Sequence, residues 1–112
     1  MVTLSDGPCK GYYFVRRAPL FLRAVLDKMG ETDVLDQLDD TPKASESVHI
    51  YEREGEAGWM HVRGRGFSGF YACATYHHLP DVVGQELRDN LTWQDWATKM
   101  RNAKIAGDGK VG

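Results

Sequence analysis

From Val48 to His78 the chain reads VHIYEREGEAGWMHVRGRGFSGFYACATYHH, strand-like throughout and interrupted only at glycines. Side chains alternate between the two faces of a strand, so this stretch demands a sheet and decides which residues share a side. We place strands at 48–54 and 59–63, joined as a hairpin through Glu54-Gly55-Glu56-Ala57-Gly58. A second tight turn, Gly64-Arg65-Gly66, leads into a longer strand at 67–77. Val48, Ile50, Met60 and Val62 are the apolar alternates of the hairpin and belong on one side. The same pairing gathers His49, Tyr51, Arg53, Trp59, His61 and Arg63 on the other.

That second face mixes aromatics, histidines and arginines and holds no carboxylate. If the second turn keeps parity, Tyr71, Phe67, Cys73 and His77 join it, while Phe70, Ala72, Ala74 and Tyr76 face the core. A register slip of one residue exchanges these two sets.

Upstream, Tyr12 to Arg17 is a short β-prone segment. Pro19 suits the first turn of a helix, and Phe21, Leu22, Val25, Leu26 and Met29 recur at helical spacing up to Gly30. This predicts a helix over about 19–29. Val34, Leu35 and Leu38 fit a single helical turn capped by Thr32 or Asp33, followed by a solvated loop at 39–47. Downstream, Pro80 ends the third hairpin-region strand and Asp81 to Asn90 reads as a short helix. Thr92 is placed to cap a last helix whose face carries Trp93, Trp96, Ala97, Met100 and Ala103. Both tryptophans then belong to the core.

The expected fold is therefore α+β, a small antiparallel sheet of three to four strands with helices packed on one face. The order is β-α-β-β-β-α-α. One domain spans 1–106, and the glycine-rich residues 107–112 form a flexible tail.

Of the 112 residues, 42% are hydrophobic, enough to build a core without disulfide or metal. The 14 Lys and Arg against 16 Asp and Glu argue against a globally basic nucleic-acid binder. Nothing resembles a signal peptide, and no run nears the ~18 apolar residues a membrane span needs. We expect a soluble, cytoplasmic protein with Cys9 and Cys73 as reduced thiols, Cys73 being a small buried apolar residue.

No metal or cofactor is expected. Cys73 and His77 lie four residues apart, ~13 Å along a strand, too far to share one zinc ion. His77 and His78 read as a polar strand end. The acidic run Glu31, Asp33, Asp36, Asp39 and Asp40 lacks the ligand spacing of a calcium loop. GRGFSGF follows no phosphate-loop pattern.

Function points to the mixed sheet face. The first expectation is a non-catalytic binding or interaction module using Tyr51, Arg53, Trp59, His61, Arg63 and Tyr71. Its partner is a protein or a second copy of the chain, since Tyr, Trp and Arg dominate interface hot spots. The first alternative is single-stranded nucleic acid, with Tyr51 and Trp59 stacking on bases and Arg53, Arg63 and Arg65 meeting phosphates. The second is a small ribonuclease using His49 and His61 as base and acid, neighbours across the hairpin. A fourth reading has Asp33, Asp36, Asp39 and Asp40 present carboxylates to a basic target. The plainest expectation is that the C-terminal helices or a second copy cover the mixed face.

Overall fold

FLRAVL, which carries the helical spacing of residues 21–26, is a strand. The computed structural model describes residues 1–36 and 40–109, with side chains through residue 105. Six strands form one mixed, curled sheet: β1 (Val2–Leu4), β2 (Gly11–Tyr13), β3 (Phe21–Leu26), β4 (Thr32–Leu35), β5 (Ser47–Gly64) and β6 (Phe67–His78). Their order is β2-β1-β6-β5-β3-β4. β1 runs parallel to β6, and every other neighbouring pair is antiparallel. Among the described residues a single 3-10 turn, Gly84–Leu87, precedes the one helix, α1 (Asn90–Gly109). The fold is thus a half-barrel with a C-terminal helix, and it overturns the expected small sheet of three to four strands under several helices.

The physical reason lies in β3. Phe21, Leu22, Arg23, Ala24 and Val25 are all buried. With both faces covered, apolar residues stand on both sides of the strand, at 21, 22, 24 and 25, and that set satisfies helical spacing as readily as strand spacing. Phe21 and Val25 face α1, while Leu22 and Ala24 face into the curl. The residues expected as one helical turn, Val34 and Leu35, lie on β4 beside β3. Leu38 and Asp39 fall outside the described residues.

The expected hairpin between 48–54 and 59–63 is likewise one continuous strand. β5 pairs with β6 across the Arg65-Gly66 turn, where Gly66 takes φ +79° at no steric cost. Between Glu54 and Gly58 the pairing is irregular: Glu54 is opposite Thr75 and Gly58 opposite Cys73. Gly55, Glu56 and Ala57 therefore stand against Ala74 alone, a bulge of two extra residues.

Both faces of the sheet around β3 are covered. Under α1 lie Phe21, Val25, Val48, Ile50, Leu87, Trp93 and Ala97. Inside the curl lie Val2, Leu4, Leu22, Ala24, Tyr51, Ala72 and Tyr76 with Cys9 and Val15. Arg23 is fully buried at the seam. Its Nη1 donates to the carbonyls of Leu87 (3.1 Å) and Arg88 (3.2 Å). Its Nη2 donates to Asn90 Oδ1 (3.2 Å) and to the Asp40 carbonyl, and the guanidinium lies 5.0 Å from the Trp93 ring centre.

The helix start also differs from expectation. Asp89, rather than Thr92, caps α1: its Oδ1 accepts from the Thr92 N–H at 3.1 Å. The short helix expected over 81–90 is only the 3-10 turn. At the other end, the backbone of α1 runs on to Gly109, into the segment expected as tail. Among the described residues no helix is long and apolar enough to cross a membrane.

The buried tyrosines make stability depend on alkaline pH. Burial pushes the Tyr51 phenol up to about 12, and raises Tyr76 as well. An unfolded tyrosine ionises near ~10. Above that pH the unfolded state holds fewer protons than the folded one, so stability is complete below ~10 and falls as pH climbs toward the folded value. We expect tyrosinate absorbance from Tyr51 and Tyr76 to rise only together with loss of the strand circular dichroism signal. Ionisation of both with the fold intact would contradict their burial.

Candidate functional site

β5 outruns its neighbour β3. The last β3 pair is Phe21 with Glu52, followed by a hydrogen bond from the Arg53 N–H to the Leu20 carbonyl at 2.7 Å. Among the described residues, the strand from Gly58 to Gly64 is flanked only by β6, residues Phe67 to Cys73. These two segments make a ribbon-like arm whose tip is the Arg65-Gly66 turn.

Pairing fixes the two faces of the arm. Trp59, His61 and Arg63 lie opposite Ala72, Phe70 and Ser68 and share their face. Because the bulge adds two residues, Tyr51 and Arg53, opposite His78 and Tyr76, keep that same side. The expected grouping on β5 is therefore present, although it arises from a different pairing. On β6 the expected sets are exchanged: Phe70, Ala72, Ala74 and Tyr76 share the face of Trp59, and Tyr71 lies on the opposite one.

Sharing a face does not bring these residues into one site. Tyr51 is fully buried, its hydroxyl accepting from the Cys9 N–H (3.0 Å) and donating to the Asp6 carbonyl (2.8 Å). Arg53 is spent on the carbonyls of Gly55 (2.9 Å) and Ala18 (2.5 Å). Trp59, His61 and Arg63 are exposed on the arm. Tyr71 is half-buried, edge-on to Phe14 at 5.4 Å and covered by the Arg16 guanidinium at 4.8 Å.

Phe67, expected on the mixed face, is 56% exposed on the arm; Phe70, expected in the core, is 62% exposed there, and Phe14, which the sequence pattern did not single out, is 64% exposed beside Tyr71, against 66% for Trp59. Phe70 stacks on His61 at 4.6 Å, and His61 Nε2 lies 2.8 Å from Ser68 Oγ. Their exposure follows from the arm's projection, which no local pattern encodes. Cys73, expected to be buried, is exposed here, and it is Cys9 that lies in the core.

His49 and His61 share no site. They are twelve positions apart on one strand, ~40 Å, so the two-histidine cleavage geometry does not form. His49 instead lies near His78, with ring centres 5.8 Å apart, and burial followed by that neighbour lowers its proton affinity. Of the four aspartates, Asp39 lies outside the described residues, and the other three make separate local contacts. Asp33 Oδ1 accepts from the Val34 N–H, Asp36 accepts from the N–H groups of Arg16 and Arg17, and the Asp40 carbonyl accepts from Arg23.

A second polar cluster lies where α1 leaves the sheet, in a cleft of about 770 Å³. Glu52 links Lys104 (2.7 Å) to His77 Nε2 (3.2 Å), and His77 Nδ1 lies 3.4 Å from Glu54. Both ring nitrogens thus face carboxylates rather than the open cleft. The cluster ties α1 to β5 and β6. Among the described residues no group of three or more His, Cys, Asp or Glu side chains is placed to hold a metal ion.

No family model, curated protein or solved structure matches this chain.

Proposed function

We propose that this chain is a non-catalytic binding module that holds single-stranded nucleic acid on the β5–β6 arm. The carrying observation is the composition of that arm. Exposed Trp59 and Phe70 share one face of the arm with Arg63, exposed Phe67 lies on the other, where Phe14 and Arg16 pack on Tyr71, Arg65 stands at the turn, and no Asp or Glu occurs from Ala57 to Pro80. Aromatic faces offer stacking to any base, and guanidinium groups meet phosphates.

The net charge of -2 conceals a separation. Residues 57–80 hold two arginines and no carboxylate, so the other residues hold 14 − 2 = 12 cations against all 16 acids. The arm is +2 and the remainder −4. A polyanion is drawn to the arm and repelled by the body, which orients the encounter.

A labelled single-stranded RNA should bind at low salt and be released as salt rises. Trp59→Ala and Phe70→Ala should each weaken binding by about 10-fold or more, since one base stack contributes ~1–3 kcal/mol. Arg63→Ala should act about equally on all sequences and flatten the salt dependence. An RNA that stays free at low salt ends this proposal.

A further inference from the structure

The arm has an open edge as well as two faces, and the backbone says which groups point there. The Ala72 N–H turns away from β5 to reach the Val15 carbonyl at 3.1 Å. In an antiparallel pair, residues that turn away from one another lie opposite. Trp59, opposite Ala72, therefore directs its own N–H and C=O outward, and alternation extends this to His61 and Arg63. These three residues present three donors and three acceptors on an edge that no strand flanks among the described residues. Such an edge is a template for another strand.

We infer that a second copy of this chain pairs along that edge, antiparallel, with its two-fold axis at His61. The segment Gly58-Trp59-Met60-His61-Val62-Arg63-Gly64 complements itself about its centre. With His61 opposite the partner's His61, Trp59 meets the partner's Arg63 on one face, where a guanidinium can lie over the indole. On the other face Met60 meets the partner's Val62. Gly58 meets the partner's Gly64, so neither end places bulk against bulk.

Other registers are worse. A two-fold axis relating adjacent antiparallel strands keeps each face with its like, so the centre shifts only by whole residues. Centred on Met60, the pairing runs into the irregular stretch at Glu56 and Ala57. Centred on Val62, it sets His61 against the partner's Arg63 and separates Met60 from the partner's Val62. Edge pairing adds a strand beside the arm rather than a layer over it, and where Arg63 lies over the partner's indole it competes with a base for that ring, so dimerisation and nucleic-acid binding are measured separately.

The test is sedimentation velocity of the full chain without nucleic acid, under reducing conditions, over about a hundred-fold concentration range. A reversible monomer–dimer equilibrium is expected. Met60→Lys with Val62→Lys sets like charges across the seam and should leave a monomer that keeps the strand circular dichroism signal, with a lowered melting midpoint because Met60 Sδ lies 3.2 Å from the Met1 ammonium. Register is tested in a Cys73→Ser background. A cysteine in place of His61 faces its copy at a Cα separation of ~5.5 Å, within disulfide reach. His61→Cys should therefore cross-link on mild oxidation, whereas Val62→Cys, offset from its copy by two residues, should not. A monomer at every concentration overturns the inference. So does a dimer that persists in the double-lysine variant, or equal cross-linking at both positions. Loss of RNA binding with the dimer intact would count against the nucleic-acid proposal alone.

Discussion

Arg23→Met should cost about 3 kcal/mol or more, since each buried acceptor left without its donor costs ~1–3 kcal/mol. That is a large share of the ~5–15 kcal/mol by which domains are stable. The methionine fills similar volume and removes a buried charge, which by itself is favourable. What it leaves behind decides the sign. The Leu87, Arg88 and Asp40 carbonyls and Asn90 Oδ1 all lose a donor. These acceptors belong to the 3-10 turn, the start of α1 and the segment after β4, which converge on this one side chain. Urea denaturation would show the loss as a lower midpoint. A midpoint within about 0.5 kcal/mol of wild type, the scale of ordinary surface substitutions, would mean that the guanidinium holds nothing together.

Gly84→Ala should be nearly as damaging, at about 3 kcal/mol, the upper range for overpacking. A Cβ at Gly84 would overlap the carbonyl group of Val48 and approach the His49 nitrogen to 3.2 Å. The clash is with backbone of a central strand, which has no rotamer to change. The 3-10 turn would have to lift off β5, taking buried Leu87 with it. Thermal unfolding is the direct measurement, and an unchanged midpoint would show that the turn is not seated on the strand. The contact of Gly84 with Val48 joins residues 36 positions apart, so no local pattern around Gly84 announces it.

Legibility followed the range of the interactions. The alternation of β5 was plain from Val48 to Arg63, and it sorted Tyr51, Arg53, Trp59, His61 and Arg63 onto one side. Burial was not plain, because Tyr51 is covered by Asp6 and Cys9, and Arg53 by Ala18, all distant in sequence. β1 is three residues long and pairs parallel with β6, so nothing near Val2 announces it. β3 misled because burial on two sides erases the period that separates strand from helix. Glu52 and His77 become a cluster only once their pairing is known.

The bulge at Gly55, Glu56 and Ala57 has a consequence for how this chain can change length. Inserting or deleting one residue there would rotate everything beyond it by half a pleat. Trp59, His61 and Arg63 would exchange sides with Met60 and Val62, while Phe70 and Ser68 stayed where they are. A change of two would leave both faces intact. The segment thus behaves as a parity element, and descendants of this sequence should carry insertions there in even numbers.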